Sequence, residues 1–126
     1  MRHFTAAKNY VRNNSMQGAV AGTPGTAPTN WAIAATGLTI QLVGTGTEKG
    51  VDYVDYRLSG TTGATSGTIS FETSTGVDAL TAQVWTESAF LSFVGGAKTN
   101  ITSMFFTITE NTAAGAFVAN NDGPDF

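Results

Sequence analysis

The strict alternation at Leu38–Val43 constrains this chain more than any other feature. Leu38, Ile40 and Leu42 fall on one side, and Thr39, Gln41 and Val43 on the other. A period of two suits a half-buried strand, whereas a helix would scatter the same residues around its axis. The pattern recurs in VDYVDYRLS (51–59), where Val54, Tyr56 and Leu58 are expected to face a core. Val51, Tyr53, Asp55 and Arg57 are then left on the outer face. Gly/Thr/Ser-rich stretches at 44–50, 60–67, 74–78 and 95–100 separate the runs, and none of the runs has helical periodicity. The chain therefore reads as all-β, an antiparallel β-sandwich of jelly-roll type.

The remaining runs follow from the same reasoning. Residues 1–12 read as an extended arm, 13–119 as the sandwich domain and 120–126 as a polar tail. Ser15–Val20 is expected as a first strand, with a Pro/Gly loop over 21–28 and a second strand at Asn30–Ala35. Ile69 and Phe71 are expected to point inward, as are Met104, Phe106 and Ile108, with Ile101 and Phe105 outside. A last short strand is expected at Ala116–Ala119. The longest apolar run, Ala82–Val94, is predicted as a strand with Trp85, Ala89, Leu91 and Phe93 on one face and Val84, Phe90 and Val94 on the other. A strand apolar on both faces is covered on both sides or lies in a subunit contact. Trp31 and Trp85 are the expected core anchors, since large rings dominate sandwich cores.

Composition narrows the partners. The chain has 126 residues, enough for one domain, and only 12% of them are charged, about half the usual share. Such a surface suits crowded assemblies or neutral polyhydroxylated ligands. The net charge is −3, with three basic residues and no acid before Glu48 and, from Glu48 onward, nine acids against Lys49, Arg57 and Lys98. No basic stripe supports nucleic-acid binding. There are no cysteines, hence no disulfides, thiol nucleophile or Cys-ligated zinc. No apolar run reaches the roughly 18 residues of a membrane span. The first ten residues lack the apolar core of a signal peptide, so a product made in the cytoplasm and not inserted in a membrane is expected.

No reaction is announced. The one histidine, His3, lies in the arm, and a catalytic base needs an enclosed, fixed position. Asp52, Asp55, Glu72, Glu87 and Glu110 are solvated strand-face carboxylates in preference to a glycosidase pair. Asp52 and Asp55 lack the dense oxygen set that calcium requires. Glu87, in line with Trp85, would need either a partner such as Arg57 or a raised pKa if buried. A non-enzymatic protein without metal or cofactor is expected. Tyr53, Asp55 and Arg57, with Phe90 and Phe105, are the candidate contact residues, for a subunit or for a glycan packed on the exposed ring.

KNYVRNNSMQGAVAGTPGTAPTNW resembles the opening of a jelly-roll domain of bacteriophage tail, fibre and virion-decoration proteins, a family itself similar to carbohydrate-binding modules. The matching positions are Asn13, Asn14, Met16, Gly18, Gly22, Pro24, Gly25, Pro28, Thr29 and Trp31. GLTIQLVGTGTEKGVDYVDYRLSGTT and QVWTESAFLSFVGGAKTN resemble the later strands, so that the likeness spans roughly residues 8–119. It implies a virion structural protein that packs against itself, as a trimer, and against other virion proteins, with host-surface glycan binding as the alternative. Sugar-binding relatives often hold calcium near a first-strand acid, but Met16-Gln17-Gly18 offers no carboxylate. The family usually continues for two or three strands beyond the position of Phe117. A sheet completed by another subunit, a trimmed fold and a fragment are the three ways to account for this.

Overall fold

The computed structural model describes residues 8–64, 66–73, 76–80 and 82–126. The described residues are all-β and without a helix. Six strands occur: β1 (Ala32–Ala34), β2 (Leu38–Glu48), β3 (Val51–Gly60), β4 (Thr68–Ser70), β5 (Thr107–Asn111) and β6 (Phe117–Asp122). They pair antiparallel as three two-stranded ribbons, β1–β4, β2–β3 and β5–β6. The chain divides into two compact units, Met1–Asp78 and Ala79–Phe126.

The β2–β3 hairpin is the longest ribbon. Residues 44–48, read as loop from their Gly-Thr repeat, continue the strand instead, and the turn shrinks to Lys49-Gly50. Both turn residues have positive φ, 51° and 81°, as a type I′ turn demands. Val43 is an extra residue between the Leu42↔Tyr56 and Gly44↔Asp55 pairs, forming a bulge. Leu42, just before it, is 1% exposed. On the same face Val54 and Tyr56 are half-buried, and burial pushes the Tyr56 hydroxyl pKa up. Leu58, expected inward, is 47% exposed because it sits near the open end of the hairpin.

The lid on Leu42 is the 13–31 segment. Ser15–Val20 forms turns in place of the expected strand, because the Asn13 side chain captures the local backbone. Asn13 is 5% exposed. Its Nδ2 donates to the carbonyls of Gln17 and Thr29, both at 2.8 Å, and its Oδ1 accepts from Gln17 N at 3.0 Å. The Trp31 indole N–H donates to the Asn13 carbonyl at 2.9 Å. Loop 20–26 closes on itself through the Val20↔Thr26 bridge and pins to β2 through Gly22↔Leu42. Gly25 sits directly on the core residue: a Cβ there would lie 2.9 Å from the Leu42 Cβ and 2.7 Å from the Val20 carbonyl, at a φ of 81°.

The second strand shortens to β1, with Ile33 opposite Ile69. Ile69, expected inward, is 42% exposed, in a ribbon whose strands are only three residues long. Trp31 is half-buried, and its ring centroid lies 4.7 Å from that of Phe71.

In the second unit, β5–β6 carries a polar ladder on one face: Thr107 to Asp122 at 2.6 Å and Thr109 to Asn120 at 2.9 Å. The last strand runs on through Asp122, so the expected polar tail begins inside it. Gly123 N and Phe126 N donate to Phe106 O and Met104 O, and the rings of Phe126 and Phe106 stack 5.3 Å apart. Met104, Phe106 and Ile108 are half-buried and Ile101 and Phe105 exposed, as their alternation predicts. Among the described residues, the predicted strand Ala82–Val94 enters no ladder. Residues 83–94 instead run without turn or bend.

Candidate functional site

The β2–β3 hairpin brings three of the candidate residues into one row. Past the bulge, Tyr53 stands opposite Gly46 and Asp55 opposite Gly44, while Arg57 is opposite Gln41 before it. The Tyr53 ring lies over Gly46, where an added Cβ would come within 2.7 Å of the ring carbon Cζ. This aromatic cover compensates for the missing side chain and explains why a glycine-rich segment holds a strand. Tyr53 remains 45% exposed. Nothing would obstruct a Cβ on Gly44 within 4 Å, so the floor beside Asp55 is open. Arg57 Nη1 reaches Gln41 Oε1 at 3.5 Å. Gln41 is a member of the row that strand patterning alone did not single out; the Lys49-Gly50 turn by itself would put Leu42 opposite Arg57, and the bulge at Val43 brings Gln41 there.

Phe90 and Phe105 belong to the second unit, at 93% and 45% exposure. A cavity of about 170 Å³ in that unit is lined by Phe93, Lys98, Ile101, Thr102, Ser103, Met104 and Phe126. Lys98 Nζ sits 3.7 Å from the centroid of the Phe93 ring. Ligand pockets usually span about 300–1,000 Å³, so this one is small. Trp85, the second expected anchor, is half-buried.

Three of the five candidate carboxylates are engaged structurally. Asp52 accepts from Thr47 Oγ1 at 2.7 Å and Glu110 from Asn121 Nδ2 at 2.8 Å. Glu72 takes the Arg12 guanidinium at 2.7 Å and also the Arg12 backbone N–H. Among the described residues, no three of His, Cys, Asp and Glu gather as a metal site. His3 lies outside the described residues.

Two of these acids have opposed environments. Burial alone would raise the Glu72 carboxyl, but the two Arg12 hydrogen bonds and the guanidinium charge outweigh it and the pKa falls below the ordinary value. Its contribution to stability is therefore complete above about pH 4.5 and is lost as pH falls through the depressed value. Glu72→Gln is expected to lower stability by about 1 kcal/mol at pH 7, less in high salt, and by nothing near pH 2. Denaturant titrations at the two pH values check this.

Burial raises the Glu87 carboxyl. Of the two outcomes foreseen for a buried Glu87, burial gives the raised pKa. The sign is opposite to that of Glu72: the folded state holds its proton more tightly, so the charged form costs stability above the unfolded pKa. Glu87→Gln is expected to stabilise only slightly at pH 7, by about a few tenths of a kcal/mol at most because water screens the partly exposed carboxyl, with no gain below pH 3. The same titrations measure it.

Comparison with protein-family models, with curated proteins and with solved structures yielded no match.

Proposed function

We propose that the chain is a non-enzymatic structural module of a bacteriophage particle, a tail, fibre or capsid-decoration component that works by packing against its own copies and other virion proteins. One observation carries the packing role: none of the described residues of 79–126 is buried. Val84, Phe90 and Val94 are 94%, 93% and 81% exposed. Leu80, Phe117 and Phe126 are also more than half exposed. An apolar surface of this extent is uncommon on a protein that works alone and marks an interaction surface.

Placement in a virion rests on the likeness of the 8–31 stretch and the later strands to the phage jelly-roll family. In this reading the ribbons become layers of a jelly-roll sandwich only when copies come together. Peptide mass spectrometry of particles produced from the genome that encodes the chain is the test. Stoichiometric copies in purified particles are expected, and absence from them contradicts the assignment.

A second reading has its own observation, the Tyr53 ring seated over Gly46 with Asp55, Arg57 and Gln41 around an open floor. A pyranose C–H face can stack on such a ring while its hydroxyls bond the flanking polar groups. As a carbohydrate-binding module for host adhesion, the chain would show saturable binding to host polysaccharide by calorimetry. Tyr53→Ala would weaken it at least about tenfold, the loss of one stacking contact of about 1.4 kcal/mol. An unchanged affinity in that variant removes this reading.

A further inference from the structure

The end of β6 carries chemistry that neither the packing role nor the Tyr53 row uses. Of the five aspartates in the sequence, only Asp122 precedes a glycine, and no asparagine does. An aspartate before glycine is open to attack by its neighbour's backbone nitrogen, because glycine has no Cβ to crowd the ring that forms and adopts the required backbone angles freely. Here both reacting groups are held in the β5–β6 pairing. Asp122 lies opposite Thr107, whose hydroxyl donates to Asp122 Oδ1 at 2.6 Å. The Gly123 N–H donates to the Phe106 carbonyl at 2.8 Å. Side chains stand roughly perpendicular to a strand, so the Gly123 nitrogen must leave the line of β6 before it can meet the Asp122 carboxyl. The cover over these bonds is thin. Asp122 and Gly123 are exposed, as are Phe117 and Val118 on the same strand. A two-stranded ribbon is marginally stable in water and opens locally at little cost.

We propose that Asp122 is a site of spontaneous isomerisation to isoaspartate, reached when β6 opens from β5 and guarded by the Thr107 hydroxyl and the Phe106 carbonyl. In the opened strand the Gly123 nitrogen bonds to Asp122 Cγ. The protonated carboxyl loses its hydroxyl, which departs as water with the Gly123 amide proton, and a five-membered succinimide closes. Water then reopens the ring at either carbonyl. Attack at Cγ restores aspartate. Attack at the Asp122 backbone carbonyl leaves Gly123 joined through Cγ, with one extra carbon in the main chain. Water is the sole co-reactant, released in the first step and consumed in the second. The added carbon puts the residues after Asp122 out of register with β5. The Gly123 bond to Phe106 O, the Phe126 N–H bond to Met104 O and the Phe106–Phe126 ring stack at 5.3 Å are then lost together. The step acts as a covalent clock on the pairing of β6, and it stands whether or not the chain packs in a particle.

Ageing of the full-length chain at neutral pH tests this. Lys98 is the last basic residue, so trypsin releases Asp122 in a single peptide, 99–126. Electron-transfer fragmentation of that peptide distinguishes isoaspartate from aspartate at each position. Isoaspartate is expected to accumulate at Asp122 and not at Asp125, and at least about tenfold faster in guanidinium than in the folded chain, since opening is then complete. Thr107→Val removes the guarding hydroxyl at nearly constant shape and is expected to raise the folded-state rate about fivefold, the equivalent of one hydrogen bond of about 1 kcal/mol. Thr107→Ser keeps the hydroxyl and is expected to age like the parent. Circular dichroism confirms that each variant is folded before ageing begins. Equal rates in the folded and unfolded chain, or equal acceleration by Thr107→Val and Thr107→Ser, overturn the guard. Absence of isoaspartate at Asp122 from the unfolded chain overturns the site.

Discussion

Asn13→Asp is expected to cost about 3 kcal/mol or more at pH 7, the largest stability loss of any single isosteric change in the first unit. The substitution exchanges the Nδ2 group for an oxygen and leaves the shape unchanged. The Gln17 and Thr29 carbonyls, both at 2.8 Å, then face an anion in a site only 5% exposed. Two donors are lost and two acceptors are left desolvated. Asn13→Ala should cost somewhat less, about 2 kcal/mol, because it strands the same carbonyls without adding a charge. The aspartate variant carries a further signature. Its carboxyl will be raised by burial and by the two carbonyls, so part of the lost stability returns as pH falls and a protonated oxygen can donate to one of them. Chemical denaturation followed by Trp31 emission in a Trp85→Phe background reads the effect locally, since the indole N–H bonds the Asn13 backbone. A loss under about 0.5 kcal/mol would mean that Asn13 does not organise the segment.

Phe90→Glu is expected to leave the folding of the single chain unchanged and to weaken self-association at least about a hundredfold. The two effects separate because the ring is 93% exposed in the isolated chain, so its removal deletes almost no intrachain contact. A symmetric contact carries every substitution twice. Two losses of about 1.4 kcal/mol each, a modest figure for a desolvated aromatic, already multiply to a hundredfold. Analytical ultracentrifugation over a concentration series, with circular dichroism as the folding control, measures both. A variant that associates like the parent would place the contact elsewhere.

Much of the architecture was legible because burial on one side leaves a period-two trace, as at Leu38–Leu42, Val54–Tyr56 and Met104–Ile108. Three features were not, each for a physical reason. The Gly-Thr repeat at 44–48 reads as loop by composition, but cross-strand packing of Tyr53 on Gly46 overrides the intrinsic preference. Ser15–Val20 has strand-like residues, yet the local hydrogen bonds of Asn13 compete with ladder pairing and win. Ala82–Val94 reads as a strand apolar on both faces, yet among the described residues it enters no ladder. Hydrophobic patterning records that a surface must be covered; it does not record which molecule covers it. The Tyr53–Asp55–Arg57 row followed from alternation alone, while Gln41 needed the register across the hairpin. The Arg12–Glu72 pair spans sixty positions and has no local signal.

The central claim is that residues 79–126 are completed by association. Sedimentation velocity of the purified full-length chain, from about 1 to about 200 µM, tests it most directly, because permanent interfaces persist through the micromolar range. The account predicts a species of at least twice the 13.0 kDa chain mass across most of that range. A single 13.0 kDa species at the highest concentration, with native circular dichroism and no aggregate, would contradict it.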